Sequence, residues 1–255
     1  MGLSIEVENV SRHFGGVRAV DDVSFQVEDG AIAGLIGPNG AGKTTMFNAI
    51  TGVLPPSRGT VLLGGHDVTK LSLVDCSALG VARTFQTPRC FTSLTVRENV
   101  EVMLRDPRES LVGALFGRGS KVANRALVVE TLERVGLAHL ADATTDMLSG
   151  GELRMLEIAR QLVRSPKLLM LDEPTAGLDR DHQAQLSRIL AGLNAEGTTI
   201  LLVEHNLRFL FANVQKVLVM SAGRLIASGD PSTVSNDEAV INAYLGRVED
   251  ETFST

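Results

Sequence analysis

This sequence lacks most of the features that mark secreted and membrane-spanning proteins. It has two cysteines, Cys76 and Cys90, whose spacing fits neither a metal site nor a redox pair, so we expect reduced thiols in a cytosolic compartment. Apolar runs such as residues 168–171 and 199–203 are far too short to span a bilayer. Residues 1–10 alternate apolar and polar side chains as a strand does, so no secretory signal peptide is expected.

An excess of basic charge is also missing. Acidic residues outnumber basic ones, 30 to 24, and the formal net charge is −6. Because surfaces that bind nucleic acid broadly are usually basic, no nucleic-acid partner is expected. The 255 residues are enough to bury a substantial core, as one large domain or as two lobes, and no low-complexity tract interrupts them.

The most informative stretch is a glycine-rich turn between an apolar strand, residues 31–36, and an amphipathic run that ends at Gly52. It reads Gly37-Pro38-Asn39-Gly40-Ala41-Gly42-Lys43-Thr44-Thr45. Glycines at this spacing let the backbone fold around a polyphosphate, so that N–H groups and the next helix N-terminus face it. Lys43 would bridge the outer phosphates and the Thr44 hydroxyl would hold Mg²⁺. The stretch therefore predicts a P-loop that binds a nucleoside triphosphate.

Polar side chains also follow three other predicted strands. Residues 167–171 run into Asp172-Glu173, residues 198–203 run into Glu204-His205, and residues 80–85 run into Gln86. Because parallel strands end at the same edge of a sheet, we expect the Asp172 and His205 side chains to reach that edge together. Asp172 is then a candidate ligand of Mg²⁺, and Glu173 is a candidate to orient or deprotonate an attacking water.

A second candidate anion site lies at Leu148-Ser149-Gly150-Gly151-Glu152, just before a long amphipathic pattern. Ser149 is placed as an N-cap and Glu152 as its capping-box partner, which explains both residues structurally. The two glycines weaken a first helical turn unless something must approach the backbone closely. The helix start is therefore predicted to face an anion.

Several other stretches keep two interpretations open. Residues 3–14 and 17–27 predict a hairpin across Gly15-Gly16, and Phe14 at its turn is either a core residue or a stacking platform for a purine. Residues 105–120 are either a surface loop with an apolar anchor or a contact surface for a partner. No role is assigned to the remaining histidines, which are His13, His66, His139 and His182.

The order of these motifs resembles that of ABC transporter ATPase subunits over nearly the whole chain. The most specific part is residues 148–152, followed about twenty residues later by Leu171-Asp172-Glu173-Pro174. The resemblance implies an α/β fold, a P-loop NTPase (ABC ATPase) core with an antiparallel β subdomain and a helical subdomain. It also implies one domain over residues 1–255 in two lobes, with residues 1–86 and 166–255 as the ATP-binding core and 87–165 as the helical signature subdomain.

The resemblance further implies roles for individual residues. Phe14 would stack on adenine, Gly37 to Thr45 would form the Walker A loop, and Gln86 would reach Mg²⁺ and sense the partner. The signature would consist of Ser149, Gly150 and Gly151 with Glu152. Asp172 would be the Walker B carboxylate, Glu173 the general base, Asp179 the D-loop aspartate and His205 the switch histidine at the γ-phosphate. Two positions depart from the commoner pattern. Phe14 replaces Tyr, which preserves stacking, and Glu152 replaces Gln, which removes the amide.

The implied partners are a second ATPase subunit, identical or related, and integral membrane permease subunits. The signature of one subunit would face the P-loop of the other, so that two ATP molecules are buried between them. The chain would be cytoplasmic and peripheral on the inner face of the cell membrane, held there by the permeases.

Residues 82–86, 94–100, 105–122 and 240–246 resemble the longer ATPase chain of branched-chain amino acid importers. Branches that move urea, short amides or lipopolysaccharide share much of this pattern, so a lipid or lipopolysaccharide export ATPase is the alternative. A soluble ABC ATPase acting on DNA or ribosomes is a further alternative. The 106 positions between Lys43 and Ser149 (149 − 43) leave no room for the long coiled coil of repair-type members, and there is one cassette where ribosome-acting types have two. A scaffold that binds ATP without turnover is disfavoured by Glu173 and His205.

Overall fold

The computed structural model describes the backbone of residues 2–85, 90–104 and 118–251. Three parts of the chain that bear on the sequence predictions lie outside the described residues. They are Gln86, residues 105–117 of the segment 105–120 that has two interpretations, and residues 252–255. Of the described helices, none has both the length and the apolar character that crossing a bilayer requires.

An antiparallel sheet of four strands forms the first layer. Its strands, in the spatial order β2-β1-β4-β5, are β1 Ile5–Phe14, β2 Val17–Val27, β4 Arg58–Leu63 and β5 His66–Asp67. The hairpin predicted across Gly15-Gly16 is confirmed, since Phe14 pairs with Val17 at its end. Buried and exposed residues alternate over much of β2, as expected for a sheet with one face on the core.

A second sheet of six strands forms the centre of the molecule. Its spatial order is β10-β9-β3-β8-β7-β6, with β3 Ile32–Ile36, β6 Val81–Arg83, β7 Leu168–Asp172, β8 Thr199–Val203, β9 Lys216–Ser221 and β10 Arg224–Gly229. Five strands are parallel, and β10 adds an antiparallel edge. Every residue of β3, β7 and β8 is buried, because both faces of this sheet are covered.

Helices connect and cover the strands. They are α1 Lys43–Ile50, α2 Leu73–Ala78, α3 Val96–Glu101, α4 Arg118–Arg134, α5 Gly150–Leu162, α6 Arg180–Ala195, α7 Leu207–Asn213, α8 Pro231–Ser235 and α9 Glu238–Glu251. Short 3₁₀ turns lie at Val102–Leu104, Ala138–Leu140 and Thr145–Met147.

Two apolar cores lie on opposite faces of the six-stranded sheet. Along β7, Leu168 and Met170 belong to the core shared with the antiparallel sheet and α1, whereas Leu169 and Leu171 belong to the core shared with α3 to α7. This alternation follows from the two-residue period of a strand. The sheet is therefore the common layer of the molecule, and its carboxyl edge is where loops from both sides meet.

Candidate active site

The strand order places the predicted site residues at one edge of the central sheet. β8 lies between β3 and β7, and β7 pairs with β6. The P-loop follows β3, His205 follows β8, Asp172 ends β7, and the segment leading to Gln86 follows β6. The prediction that Asp172 and His205 reach the same edge is confirmed, because β7 and β8 are parallel neighbours and Asp172 pairs with Val203.

The lysine of the P-loop bonds the backbone of the loop itself. The Lys43 ammonium is buried and donates hydrogen bonds to the carbonyls of Gly37, at 2.6 Å, and Pro38, at 3.1 Å. Gly37 has φ +148°, and a Cβ there would lie 2.0 Å from the Met220 carbonyl oxygen, so no larger residue fits. Lys43 is also the first residue of α1, and so the loop combines a cation with a helix N-terminus.

Glu173 and His205 are in direct contact. His205 Nε2 lies 3.0 Å from Glu173 Oε1, and the two side chains are 49% and 22% exposed. Glu173 has φ +48°, a conformation that residues other than glycine seldom adopt. Its N–H donates to the Val203 carbonyl at 2.8 Å, so the backbone turns sharply where the strand ladder stops. Such local strain is common at functional sites.

The Asp172 carboxyl is buried, and its ionised form is therefore destabilised. Burial raises its pKa above the ordinary range, and the adjacent Glu173 charge raises it further, while Arg83, Arg154 and Lys43 act in the opposite direction. Within the described residues, no group of three or more His, Cys, Asp or Glu could hold a metal ion by itself. Mg²⁺ needs fewer protein ligands than that, because it commonly binds one or two carboxylates together with substrate phosphates. Asp172 and the exposed hydroxyl residue Thr44 fit such a donor set.

The predicted capping box at the start of α5 is confirmed. Glu152 Oε2 accepts hydrogen bonds from the Ser149 N–H and hydroxyl, both at 2.7 Å, and the Glu152 N–H donates to Ser149 Oγ at 3.3 Å. These bonds hold the pKa of Glu152 below its ordinary range. A carboxylate thus caps this helix. Gly150 is exposed with open space around it, so an anion can approach this helix start.

His182 has a structural contact that the sequence alone did not indicate. Asp179 is the N-cap of α6 and accepts a 2.9 Å hydrogen bond from the His182 N–H, and His182 Nδ1 lies 2.9 Å from the same carboxylate oxygen. The His182 ring also packs against Gly151, where an added Cβ would come within 3.1 Å of it. His182 therefore joins the turn at Asp179 to the glycines of the capping box.

Phe14 lies at the tip of the first hairpin and is 46% exposed, so the core interpretation of this residue is wrong. The Arg12 guanidinium lies 5.1 Å from the ring centroid. The ring is accessible for stacking, as the alternative interpretation requires.

Three buried charged residues near the site were not predicted from the sequence. Arg154 and Glu157 lie on α5, and Glu204 follows β8. Glu204 accepts the Thr175 N–H at 2.7 Å and the Asn206 N–H at 3.3 Å, which ties the turn after Glu173 to the turn after His205. The sequence shows that Glu204 follows a strand, but it does not show what the buried carboxylates bond. Glu204 accepts from Thr175 and Glu157 accepts from Phe85, and both backbone groups are distant in the chain.

The sequence comparisons agree with this geometry. A family model described as "ABC transporter" matches residues 20–176, and one described as "Branched-chain amino acid ATP-binding cassette transporter" matches residues 224–250. The chain belongs to the ABC transporter ATPase family. It is an ATP-hydrolysing cassette, and the predicted fold class is confirmed.

Relatives of this ABC ATPase match it along most of their length. The high-affinity branched-chain amino acid transport ATP-binding protein LivG of Escherichia coli (strain K12) is 38% identical over 248 residues, covering 95% of this chain and 97% of LivG. The lipopolysaccharide export system ATP-binding protein LptB of Haemophilus influenzae is 34% identical over 242 residues, covering 95% and 97%. Among solved structures, the ADP conformation of MJ1267, an ATP-binding cassette of an ABC transporter, has a TM-score of 0.85 at 33% identity and covers 96% of this chain and 100% of its own.

Replacement of Asp172 by Asn tests the electrostatic cost of this carboxyl. The folded-state pKa is raised, so the folded protein binds the proton more tightly than the unfolded chain, and stability falls as pH rises through the folded pKa. We therefore expect the nucleotide-free Asp172→Asn protein to unfold at a higher temperature than the wild type at neutral pH. The difference should shrink as pH is lowered until Asp172 is protonated. Thermal unfolding at several pH values in the absence of metal checks this, and a variant less stable than the wild type at neutral pH would contradict it.

Proposed function

We propose that this chain is the ATPase subunit that energises uptake of branched-chain amino acids, or a related polar solute, through integral membrane permease subunits. The contact between Glu173 and His205 at the edge that carries the P-loop supports the hydrolytic part of the proposal most directly. The likeness to LivG over 95% of this chain supports the transport part. The match of residues 224–250 to the branched-chain amino acid model favours this branch over lipopolysaccharide export, the alternative that the likeness to LptB supports.

Phosphate binding would use the P-loop and the acidic strand end together. Lys43 would exchange its bonds to the Gly37 and Pro38 carbonyls for bonds to the outer phosphates of ATP. Thr44, Asp172 and, as the resemblance implies, Gln86 would hold Mg²⁺. When bound, Mg²⁺ neutralises charge on the phosphates. The raised pKa of Asp172 fits a carboxyl that gains a cation on binding.

Hydrolysis would be carried by Glu173 and His205. Glu173 would orient the attacking water and accept its proton, and His205 would turn toward the γ-phosphate. The 3.0 Å contact between them holds both side chains together at the strand ends. The adenine would stack on Phe14.

The other half of each site would come from a second ATPase subunit. Ser149, Gly150 and Gly151, with Asp179 beside them through His182, would close over ATP held by the P-loop of that subunit. Exposed N–H groups at a helix start suit the γ-phosphate. We also propose the two-lobed division, with residues 1–86 and 166–255 as the ATP-binding core and 87–165 as the signature subdomain.

The permease would dock in a groove beside β6. This groove has a volume of about 820 Å³ and lies against α2, α5 and the segments that carry Phe85 and Phe91. Phe91 is 47% exposed, with the Arg160 guanidinium 4.9 Å from its ring centroid. The groove lies next to Phe85, one residue before Gln86, so a permease bound in it would contact the hydrolysis site from outside. Docking there would hold the chain on the cytoplasmic face of the membrane.

The general-base role predicts the behaviour of Glu173→Gln. We expect this variant to bind ATP with near wild-type affinity, to form a stable ATP-dependent dimer, and to lose about 10²-fold or more in turnover, because the water loses its proton acceptor. Steady-state phosphate release and size-exclusion chromatography with ATP measure the three properties. Glu196→Gln, which changes an exposed carboxylate, is the matched control and should keep wild-type turnover. Wild-type turnover in Glu173→Gln would contradict the assignment.

The docking role predicts the behaviour of Phe91→Asp. A carboxylate in place of the exposed Phe91 ring should prevent permease binding while the isolated chain keeps its ATPase activity. We expect the tagged wild-type chain to co-purify from native membranes with multi-span membrane proteins, identified by mass spectrometry, and Phe91→Asp to lose them. Equal recovery of membrane proteins with the wild-type chain and with Phe91→Asp would exclude the groove as the docking site. If neither chain recovers a multi-span protein, the transport proposal fails and the soluble alternatives gain support.

A further inference from the structure

We propose that Arg154 and Glu157 are positioning residues that hold the backbone of Glu173 for hydrolysis. The proposal rests on the general-base role of Glu173 given above. The two side chains form an ion pair on α5, with Arg154 Nη1 2.6 Å from Glu157 Oε2, and each is 2% exposed.

The pair holds the backbone of Phe85 from both sides. Glu157 Oε1 accepts the Phe85 N–H at 3.0 Å, and Arg154 Nη1 donates to the Phe85 carbonyl at 2.9 Å. Phe85 directly follows Thr84, whose hydroxyl accepts the Asp172 N–H at 3.1 Å. The end of β6, which leads to Gln86, is thereby fixed to both α5 and β7.

The other branch of the guanidinium reaches Glu173 itself. Arg154 Nη2 donates to the Glu173 carbonyl at 2.7 Å and lies 3.5 Å from the Asp172 carbonyl. Because Glu173 has a φ of +48°, its backbone needs outside contacts to stay in this conformation. The planar guanidinium supplies them, since its donors are fixed relative to one another. The direction of the Glu173 carboxylate then follows from a backbone held on two sides, by Arg154 and by the Val203 carbonyl.

Stability alone does not account for this pair. Taking two charges out of water is costly, and apolar residues of similar volume often replace a buried ion pair without loss of stability. A buried pair that also bonds the backbone of Phe85 and of Glu173 is better explained by geometry. Its contribution should therefore be seen in turnover more than in folding.

The test separates positioning from folding with three variants of the full chain. Arg154→Met leaves Glu157 buried without its partner and should lower the unfolding temperature. The double variant Arg154→Met/Glu157→Leu should recover most of that temperature, because both charges are gone. We expect kcat in the double variant to stay at least about tenfold below the wild type, with KM for ATP within about threefold, because misplacement of a reacting group affects the chemical step.

Arg154→Lys provides the second measurement, which remains informative if the double variant fails to fold. Lys keeps the charge beside Glu157, but one ammonium cannot reproduce the fork to Phe85 and Glu173. We expect near wild-type unfolding and ATP affinity with a similar loss in kcat. Arg134→Met, which removes an exposed ion pair to Glu196, is the control and should keep wild-type kcat.

Wild-type kcat in Arg154→Lys, or recovery of kcat together with stability in the double variant, would overturn the proposal. Glu173→Gln is measured in the same series to separate the two failures. If Glu173→Gln loses turnover and the Arg154 variants keep it, only the positioning role fails. If Glu173→Gln keeps wild-type turnover, the general-base role fails first.

Discussion

Parallel pairing of β3, β8, β7 and β6 is the constraint on which the candidate site depends. The four strands end at one edge, and each is followed by candidate functional residues. These are the P-loop, His205, Glu173 and the segment that leads to Gln86. Backbone hydrogen bonds across the sheet fix the relative heights of these ends, as the pairing of Asp172 with Val203 shows. Residues more than 160 positions apart in the chain, such as Lys43 and His205 (205 − 43 = 162), are thus brought to one place.

Buried charges and a strained backbone lie together at this edge. Asp172 is buried with a raised pKa, Glu173 has a left-handed backbone, and the Lys43 ammonium is bonded to its own loop. Buried carboxylates on neighbouring elements secure the backbone around them, with Glu157 on Phe85 and Glu204 on Thr175. The strain at Glu173 persists because the surroundings fix its backbone on several sides. Under the proposed function, the charge of the buried Asp172 carboxylate would be offset when Mg²⁺ and nucleotide bind.

The features that the sequence predicted are local ones. The P-loop has a spacing that few other structures need, the hairpin at Gly15-Gly16 has its own turn, and Ser149 and Glu152 form a capping box within four residues. The shared edge of Asp172 and His205 could also be predicted, because buried strand patterns imply parallel neighbours. The family model and the relatives then confirmed the fold class and the ATPase family. The roles of individual site residues remain predictions, and Gln86 lies outside the described residues.

The contacts that the sequence did not reveal join distant elements. Arg154 meets Phe85 and Glu173, 69 and 19 positions away, and no periodic pattern marks a helix residue for such a contact. His182 is similar, because its packing against Gly151 depends on how α6 lies against α5. Phe14 could not be decided from sequence, since a hairpin tip can fold onto a core or project from it. Only the assembled structure shows its exposure.

We propose above all that ATP bound at Lys43 is hydrolysed by Glu173 in a site completed by another subunit. A structure of the Glu173→Gln chain with Mg²⁺ and ATP tests it most directly. We expect a dimer with Lys43 on the outer phosphates, Mg²⁺ on Thr44 and Asp172, His205 at the γ-phosphate, and Ser149 to Gly151 of the second subunit across it. ATP enclosed by Ser149 of its own chain, or a γ-phosphate out of reach of residue 173, would rule out hydrolysis by Glu173 in a shared site.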